Sequence, residues 1–189
     1  MDAEEYLTTH WIKHKVWRNL TREKHQERFR TICSFLEGKT FIDVGCACGH
    51  SMIHMKKLCP GYWTGMDFSK QAILKAREFF PKYKFYYADD FDLLKETEGK
   101  KFDSVVCSEV IEHVEKDQKL FGELLSITKK VLVITTPNRH VGDPGHLRIY
   151  TEKTLMSLFF RRNKSFDSWR FPEVQVISHG KFFYLVINK

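Results

Sequence analysis

The sequence predicts an α/β protein built on a mostly parallel sheet with helices on both faces. Three observations predict it. Short apolar, β-branched runs alternate with helix-period segments from Thr40 onward, the pattern of repeated β-α units. The first run, Thr40-Phe41-Ile42-Asp43-Val44, passes into small residues, Gly45-Cys46-Ala47-Cys48-Gly49, and a helix then opens near His50. Such a turn lets backbone N–H groups approach a ligand closely. Finally, three later strands close on acids: Asp67, Asp89-Asp90 and Ser108-Glu109. In a doubly wound sheet the ligand sits at those carboxyl ends.

Taken in order, residues 1–38 read as an N-terminal helical segment, a lid or substrate-side element, and 39–189 as the main domain. Tyr6, His10, His14 and Trp17 recur at spacings of four, four and three, so they share one helical face. Thr21 is the expected N-cap of a second helix. Phe29, Ile32, Cys33 and Leu36 form its apolar face, and Gly38 stands where a C′ glycine would end it. After the first strand and turn, a helix through Ile53 and Leu58 stops at Cys59-Pro60-Gly61. Tyr62–Asp67 is the second strand. Ser69 caps a helix through Phe79, and Tyr83–Ala88 is the third strand. Phe102–Cys107 is continuously apolar and β-branched, as buried parallel strands are. A helix is expected from Val110 to Ile127, a fifth strand over Val131–Thr135, an irregular stretch over Asn138–Tyr150, and a helix from Thr151 to Phe160. Val174–Ser178 and Phe182–Ile187, joined at His179-Gly180, form a closing hairpin, which makes one strand antiparallel.

Composition narrows the partners. A chain of 189 residues with 42% hydrophobic residues is globular. No run of about 18 apolar residues exists, so no transmembrane helix is expected, and the acidic start Met1-Asp2-Ala3-Glu4-Glu5 is no signal peptide. Five cysteines, an odd number, suit free thiols and a cytoplasmic location. Cys46-x-Cys48 has no partner pair at zinc spacing. The net charge of +7 suits an anionic partner such as RNA or a phosphorylated metabolite, and equally a soluble basic surface.

The glycine turn separates two nucleotide-site designs. A dinucleotide site wants G-x-G-x-x-G, whereas Asp43 stands two residues before Gly45 and no glycine follows Gly49 at that spacing. Asp43-Val44-Gly45-Cys46-Ala47-Cys48-Gly49 resembles the first motif of the class I S-adenosylmethionine (SAM)-dependent methyltransferases, D-x-G-C-G-x-G. Ala47 replaces the middle glycine, which disfavours a left-handed backbone there while leaving room for a cofactor. Gly65-Met66-Asp67-Phe68-Ser69, Ala88-Asp89-Asp90 and the run from Phe102 to Val114 stand where that family has its later motifs. The resemblance covers Thr40 to Ile187. It implies a Rossmann-like, doubly wound seven-stranded sheet with the last strand antiparallel, and SAM as methyl donor. Cofactor contacts would come from Asp43, Gly45, Cys46, Ala47 and Gly49, from Asp67 (ribose hydroxyls) and Phe68, from Asp89 or Asp90 (adenine amino group), and from the Ser108 backbone (ammonium group).

Glu109-Val110-Ile111-Glu112-His113 is similar to the E-x-x-E-H block of the ubiquinone-biosynthesis O-methyltransferases and the small-RNA terminal 2′-O-methyltransferases. Spacings of three and four put Glu109, Glu112 and His113 on one face of the expected helix. In those families the block, with a later His, can hold a divalent cation beside the acceptor oxygen. Here the set would be Glu109, Glu112, His113 and His146 (or His140). The alternative role for the block is to line the methyl-transfer pocket and cap the helix. A hydroxyl acceptor must lose a proton, and His113 and His146 are the candidate bases, with Glu109 beside them. The expected activity is O-methylation of a small-molecule acceptor. RNA ribose 2′-O-methylation and a non-catalytic SAM-fold binding protein are the alternatives.

Overall fold

The computed structural model describes residues 15–88, 92–140, 142–143, 145–162 and 173–189. The strands are β1 (Thr40–Val44), β2 (Tyr62–Asp67), β3 (Lys84–Tyr87), β4 (Phe102–Ser108), β5 (Thr128–Pro137), β6 (Glu173–His179) and β7 (Phe182–Asn188). The α-helices are α1 (Glu23–Phe35), α2 (His50–Leu58), α3 (Lys70–Phe79), α4 (Leu93–Glu96), α5 (Asp117–Ile127) and α6 (Glu152–Arg162). One seven-stranded sheet runs β3-β2-β1-β4-β5-β7-β6. β7 is antiparallel to both its neighbours, β5 and β6, and the pairs among β1–β5 are parallel. The expected architecture is thus the observed one.

Alternation along each strand builds a core on each face. Leu132 and Ile134 of β5 join Ile42, Val105 and the α5–α6 residues Leu120, Phe121, Leu124 and Leu155. Val131 and Val133 point the other way, to Phe41, Val106 and the Phe29, Ile32, Met52 and Ile73 of α1–α3. Strands buried on both faces explain the unbroken apolar runs in the sequence. The order reverses at β1, with β2 and β3 on one side and β4 and β5 on the other. The carboxyl ends of β1 and β4 therefore flank the switch point, where such sheets bind ligands.

Several local expectations change. Thr21 does not cap α1. It closes a 3-10 turn, Val16–Thr21, and its hydroxyl donates back to the Arg18 carbonyl. Arg22 stands at the N-cap without a side-chain bond. Gly38 lies past the end of the helix at φ +85°, where an added Cβ would strike Asp103. Its service is to the next turn: the Asp103 carboxylate accepts the Lys39 and Thr40 N–H groups, which holds its pKa down to about 2. The aromatic face through Tyr6, His10 and His14 lies outside the described residues. Trp17 is stacked on His50, with centroids 5.1 Å apart.

The helix expected from Val110 to Ile127 is two pieces, a 3-10 turn Ile111–His113 and then α5. The cause lies just before it. Glu109 takes a left-handed φ of +60° and donates its N–H to the Thr135 carbonyl, so the chain turns sharply off β4. Glu109, Glu112 and His113 therefore do not share an α-helical face.

Candidate functional site

The glycine turn forms a tight crest above β1 and β2. Gly45 and Cys46 both donate N–H to the Met66 carbonyl, at 2.8 and 2.9 Å. Gly45 sits at φ +83° and Gly49 at +81°. Ala47 takes φ +46°, contrary to the expectation from its side chain. That left-handed backbone costs an alanine roughly 1–2 kcal/mol, and the Asp67 carboxylate offsets it by accepting the Ala47 N–H at 2.7 Å.

Asp67 is 2% exposed and accepts the Ser69 N–H on its other oxygen at 2.9 Å. Burial pushes its pKa up to about 6, against those backbone donors. A carboxylate offers about four acceptor positions. The Phe68 N–H is a third backbone donor, which still leaves acceptor capacity for a ribose hydroxyl. Asp43 is also buried and accepts the Ser51 hydroxyl at 2.9 Å. Burial pushes it up to about 7, with the nearby Asp67 charge adding to the rise. Cys46 and Cys48 are buried thiols whose pKa burial raises, Cys48 to about 12, so neither is a ready thiolate. Phe68 packs at the edge of the α5–α6 core. Asp89 and Asp90, the expected adenine acceptors, lie outside the described residues.

At the end of β4 the Ser108 hydroxyl meets Thr135 Oγ1 at 2.8 Å, and Thr135 in turn donates to Glu109 Oε1 at 3.4 Å. The other Glu109 oxygen lies 3.3 Å from Arg28 Nη1. Glu109 is thus tied to α1 and β5, apart from the other members of its block. Arg28, 5% exposed, is a site residue that sequence reasoning missed. The signal was a cation four residues before Ile32, on the apolar face of α1.

Glu112, His113 and His146 do come together: one donor atom from each lies within 4.8 Å of the others. The His113 and His146 rings meet edge-on at 4.6 Å, and His146 Nε2 stands 4.0 Å from Glu112 Oε1. His113 Nδ1 lies 2.9 Å from the Gly145 carbonyl. A carbonyl only accepts, so Nδ1 carries the proton and Nε2 the lone pair. Glu112 is 1% exposed, and its carboxylate oxygens make no well-formed hydrogen bond among the described residues, with only slight support from its own N–H and the Thr136 hydroxyl. Burial, and then the Glu109 charge, pushes its pKa well up, while burial and His113 push His146 down. A buried carboxylate so weakly supported costs free energy unless a proton, cation or ligand donor meets it.

The segment that brings His146 in is fastened at several points. Leu147 N–H donates to the Glu112 carbonyl at 2.9 Å. The Arg148 guanidinium donates to the Val114 carbonyl at 2.7 Å, to that of Glu115 at 3.1 Å, and pairs with Asp117 at 2.8 Å. Tyr150 donates to the same Asp117 oxygen at 2.8 Å. A cavity of about 240 Å³ opens beside it, lined by His140, Asp143, His146, Leu147, Arg148 and Ile149 among others. His140 faces this cavity without joining the Glu112 cluster.

The fold is that of the class I SAM-dependent methyltransferases. The chain belongs to the family described as a methyltransferase domain, whose model matches residues 36–169. It is 32% identical over 115 residues to the ubiquinone biosynthesis O-methyltransferase of Glaesserella parasuis serovar 5 (strain SH0165), a match covering 55% of this chain and 48% of that relative. The chain thus spans about half the length of that relative. Among solved structures it is similar to the magnesium protoporphyrin IX methyltransferase of Synechocystis PCC 6803 with bound SAH (TM-score 0.69, 16% identity, 98% of this chain and 97% of that one). It is also similar to the methyltransferase domain of bacterial CtHen1-CN (TM-score 0.70, 17% identity, 88% and 100%). At these identities the structural likeness speaks for the fold.

Proposed function

We propose that the chain transfers the methyl group of SAM to an oxygen of a small-molecule acceptor bound beside Glu112, His113 and His146. The observation that carries this reading is the Glu112 carboxylate, without a well-formed hydrogen bond and buried next to two imidazoles at the carboxyl edge of the sheet. SAM, when bound, supplies a methyl group made electrophilic by its sulfonium, and the sulfur keeps the bonding electron pair on transfer. The chain's task is to align the acceptor, exclude water and take a proton from its hydroxyl. An imidazole does the last: His113 through Nε2, or His146, whose lowered pKa keeps it neutral near pH 7 with a lone pair free to take the proton. Asp67 holds the ribose, and the Gly45–Gly49 crest carries the rest of the cofactor.

The same three side chains fit a divalent cation. One carboxylate and two imidazoles within reach of one another suit manganese or zinc better than magnesium, which prefers oxygen ligands. Such a cation, when bound, would lower the pKa of the acceptor hydroxyl. The set is Glu112, His113 and His146, with Glu109 held away by Arg28.

RNA ribose methylation is the second reading. The net charge of +7 favours it. The cavity of about 240 Å³ beside His146 favours a small acceptor. No helix among the described residues is long and apolar enough to cross a membrane, and the five cysteines are free, which supports work in a reducing compartment such as the cytoplasm.

The test is methyl transfer from labelled SAM into catechols, sugars, lipids and short RNAs, with and without chelator. Label entering a small hydroxyl-bearing acceptor is the expected result; loss of transfer on chelation with SAM affinity intact assigns a cation to the Glu112 cluster, and no effect of chelator leaves the imidazole as base. Transfer only to RNA 3′ ends selects the second reading. A chain that binds no SAM is the non-catalytic alternative.

A further inference from the structure

We propose that the sheet edge opposite the glycine crest binds the backbone of a single-stranded nucleic acid, along a row of lysines that passes the exposed ring of Tyr62. The proposal goes beyond the methyltransferase reading and does not depend on it.

The topology makes the row. Parallel strands put their amino ends on one edge, and the antiparallel β7 brings its carboxyl end there too. Lys39 precedes β1, Lys82 precedes β3 and Lys84 opens it. Lys100 and Lys101 precede β4, Lys129 and Lys130 lie in the first turn of β5's ladder, and Lys189 follows β7. All of these side chains are exposed. A bulge adds one to the row. The β4–β5 register slips from Phe102↔Thr128 to Ser104↔Val131, so Lys129 and Lys130 both stand opposite Asp103. The sheet order sets the ends in line from β3 through β2, β1, β4 and β5 to β7. At the usual strand spacing the row is about 24 Å long. Tyr62 opens β2 within it, 75% exposed, and its N–H donates to the Lys39 carbonyl at 2.8 Å.

Few acids answer these cations. Glu98 is shared by Lys84 at 3.6 Å and Lys100 at 2.7 Å. The Asp103 carboxylate is occupied by the Lys39 and Thr40 N–H groups, and Glu173 accepts from the Asn188 amide at 3.2 Å. Glu37 adds one more exposed carboxylate. Lys39, Lys82, Lys101 and Lys130 join no ion pair among the described residues. A line of cations spaced by strands suits a linear polyanion, whose phosphates repeat on a similar scale. Surfaces for single strands add an aromatic ring on which a base can stack, and Tyr62 supplies it. The exposed apolar groups of this edge, Tyr62 and the 44% exposed Leu58, are too few to anchor on a bilayer. β4 runs seven residues from Phe102 to Ser108, so about 20 Å separates the row from the Glu109–His113 turn. A strand on the row therefore anchors the protein without filling the pocket.

The test is fluorescence anisotropy with labelled oligouridylate and oligothymidylate about 12 nucleotides long, a length within the usual reach of single-strand sites. With about four or five phosphates neutralised, wild type should bind both and weaken about 50–100-fold between about 50 and 200 mM salt. Lys101→Glu/Lys130→Glu should weaken binding about 10–50-fold at the lower salt and flatten the salt slope by about 1.4. Tyr62→Ser should weaken it about 5–50-fold at either salt, because stacking is not screened. Lys116→Glu/Lys153→Glu makes the same charge change at exposed positions away from the row and should stay within about threefold of wild type. Circular dichroism and SAH affinity should match wild type in every variant. Tighter binding of oligouridylate assigns the ligand to RNA, and equal binding assigns the backbone of either nucleic acid. No binding by wild type overturns the proposal, as does equal loss in the two double variants. Capture by phosphatidylserine vesicles without binding of either oligonucleotide overturns it too, in favour of an acidic bilayer. Should Lys101→Glu/Lys130→Glu fail to fold, Lys39→Glu/Lys82→Glu carries the comparison. Wild-type protein that binds the oligonucleotides but no SAH would sink the methyltransferase reading and leave this surface standing.

Discussion

Two acids, Asp43 and Asp67, are buried beside the glycine crest. Asp67 accepts backbone N–H groups from the crest and from its own turn, so it braces Ala47 while keeping acceptor capacity. Asp67→Ala should weaken SAM binding by about 1.5–3 kcal/mol, the worth of hydrogen bonds to a charged acceptor. Calorimetry checks this, and unchanged affinity in a folded variant would refute the ribose assignment. The same residue sets a pH dependence. Its pKa of about 6 lies above the roughly 3.9 of an unfolded aspartate. The folded chain thus holds more protons than the unfolded one between those values, and this group's contribution to stability falls as pH rises through them. Ribose hydroxyls donate to the ionised form, so SAM affinity should move the opposite way. It should be about tenfold weaker at pH 5 than at pH 7.5.

The elements that matter are two turns and the segment between β5 and α6. At Gly45 an added Cβ would come within 2.1 Å of Val110 Cγ2, so the crest is packed against the turn that follows β4. The first obstacle to any side chain there is therefore protein. Gly45→Val should therefore abolish SAM binding and also disturb the Glu109–His113 turn. Loss of SAM binding together with a shifted His113 resonance in NMR spectra is the expected outcome. The segment carrying His146 depends on Arg148, whose guanidinium joins two carbonyls and Asp117. Arg148→Met should cost about 1–3 kcal/mol in denaturant unfolding. It should also speed hydrogen exchange at Leu147, whose N–H is bonded to the Glu112 carbonyl. Normal protection of Leu147 in that variant would show that the segment is held by other means.

For the whole molecule, the sheet's switch point brings the glycine crest and the proposed acceptor cluster to one edge, with α1 and β7 meeting there through Arg28 and Phe182. If the Glu112 cluster holds a cation, removing it should stop turnover while SAM affinity stays, because Asp67 and the crest lie on other strands. If the cluster works as a base alone, chelator will do nothing. His113→Ala would then slow the chemical step by about 10²–10⁴-fold.

Much of this was legible in the sequence because it depends on local pattern. β-α alternation, a small-residue turn after Asp43, and an acid at the end of the second strand are set by backbone sterics and side-chain period, which short stretches carry. The sheet and the placing of Asp67 followed from them. Long-range bonds decided the rest. The Thr135 carbonyl, 26 residues from Glu109, helps hold the left-handed turn that breaks the expected helix. Arg28, 81 residues before Glu109, draws that carboxylate away from Glu112. Gly145 orients His113, and Arg148 fastens the segment that delivers His146. Each of these contacts joins parts of the chain whose meeting no local pattern encodes, so only the packed sheet could show which of Glu109, Glu112, His113 and His146 would face one another.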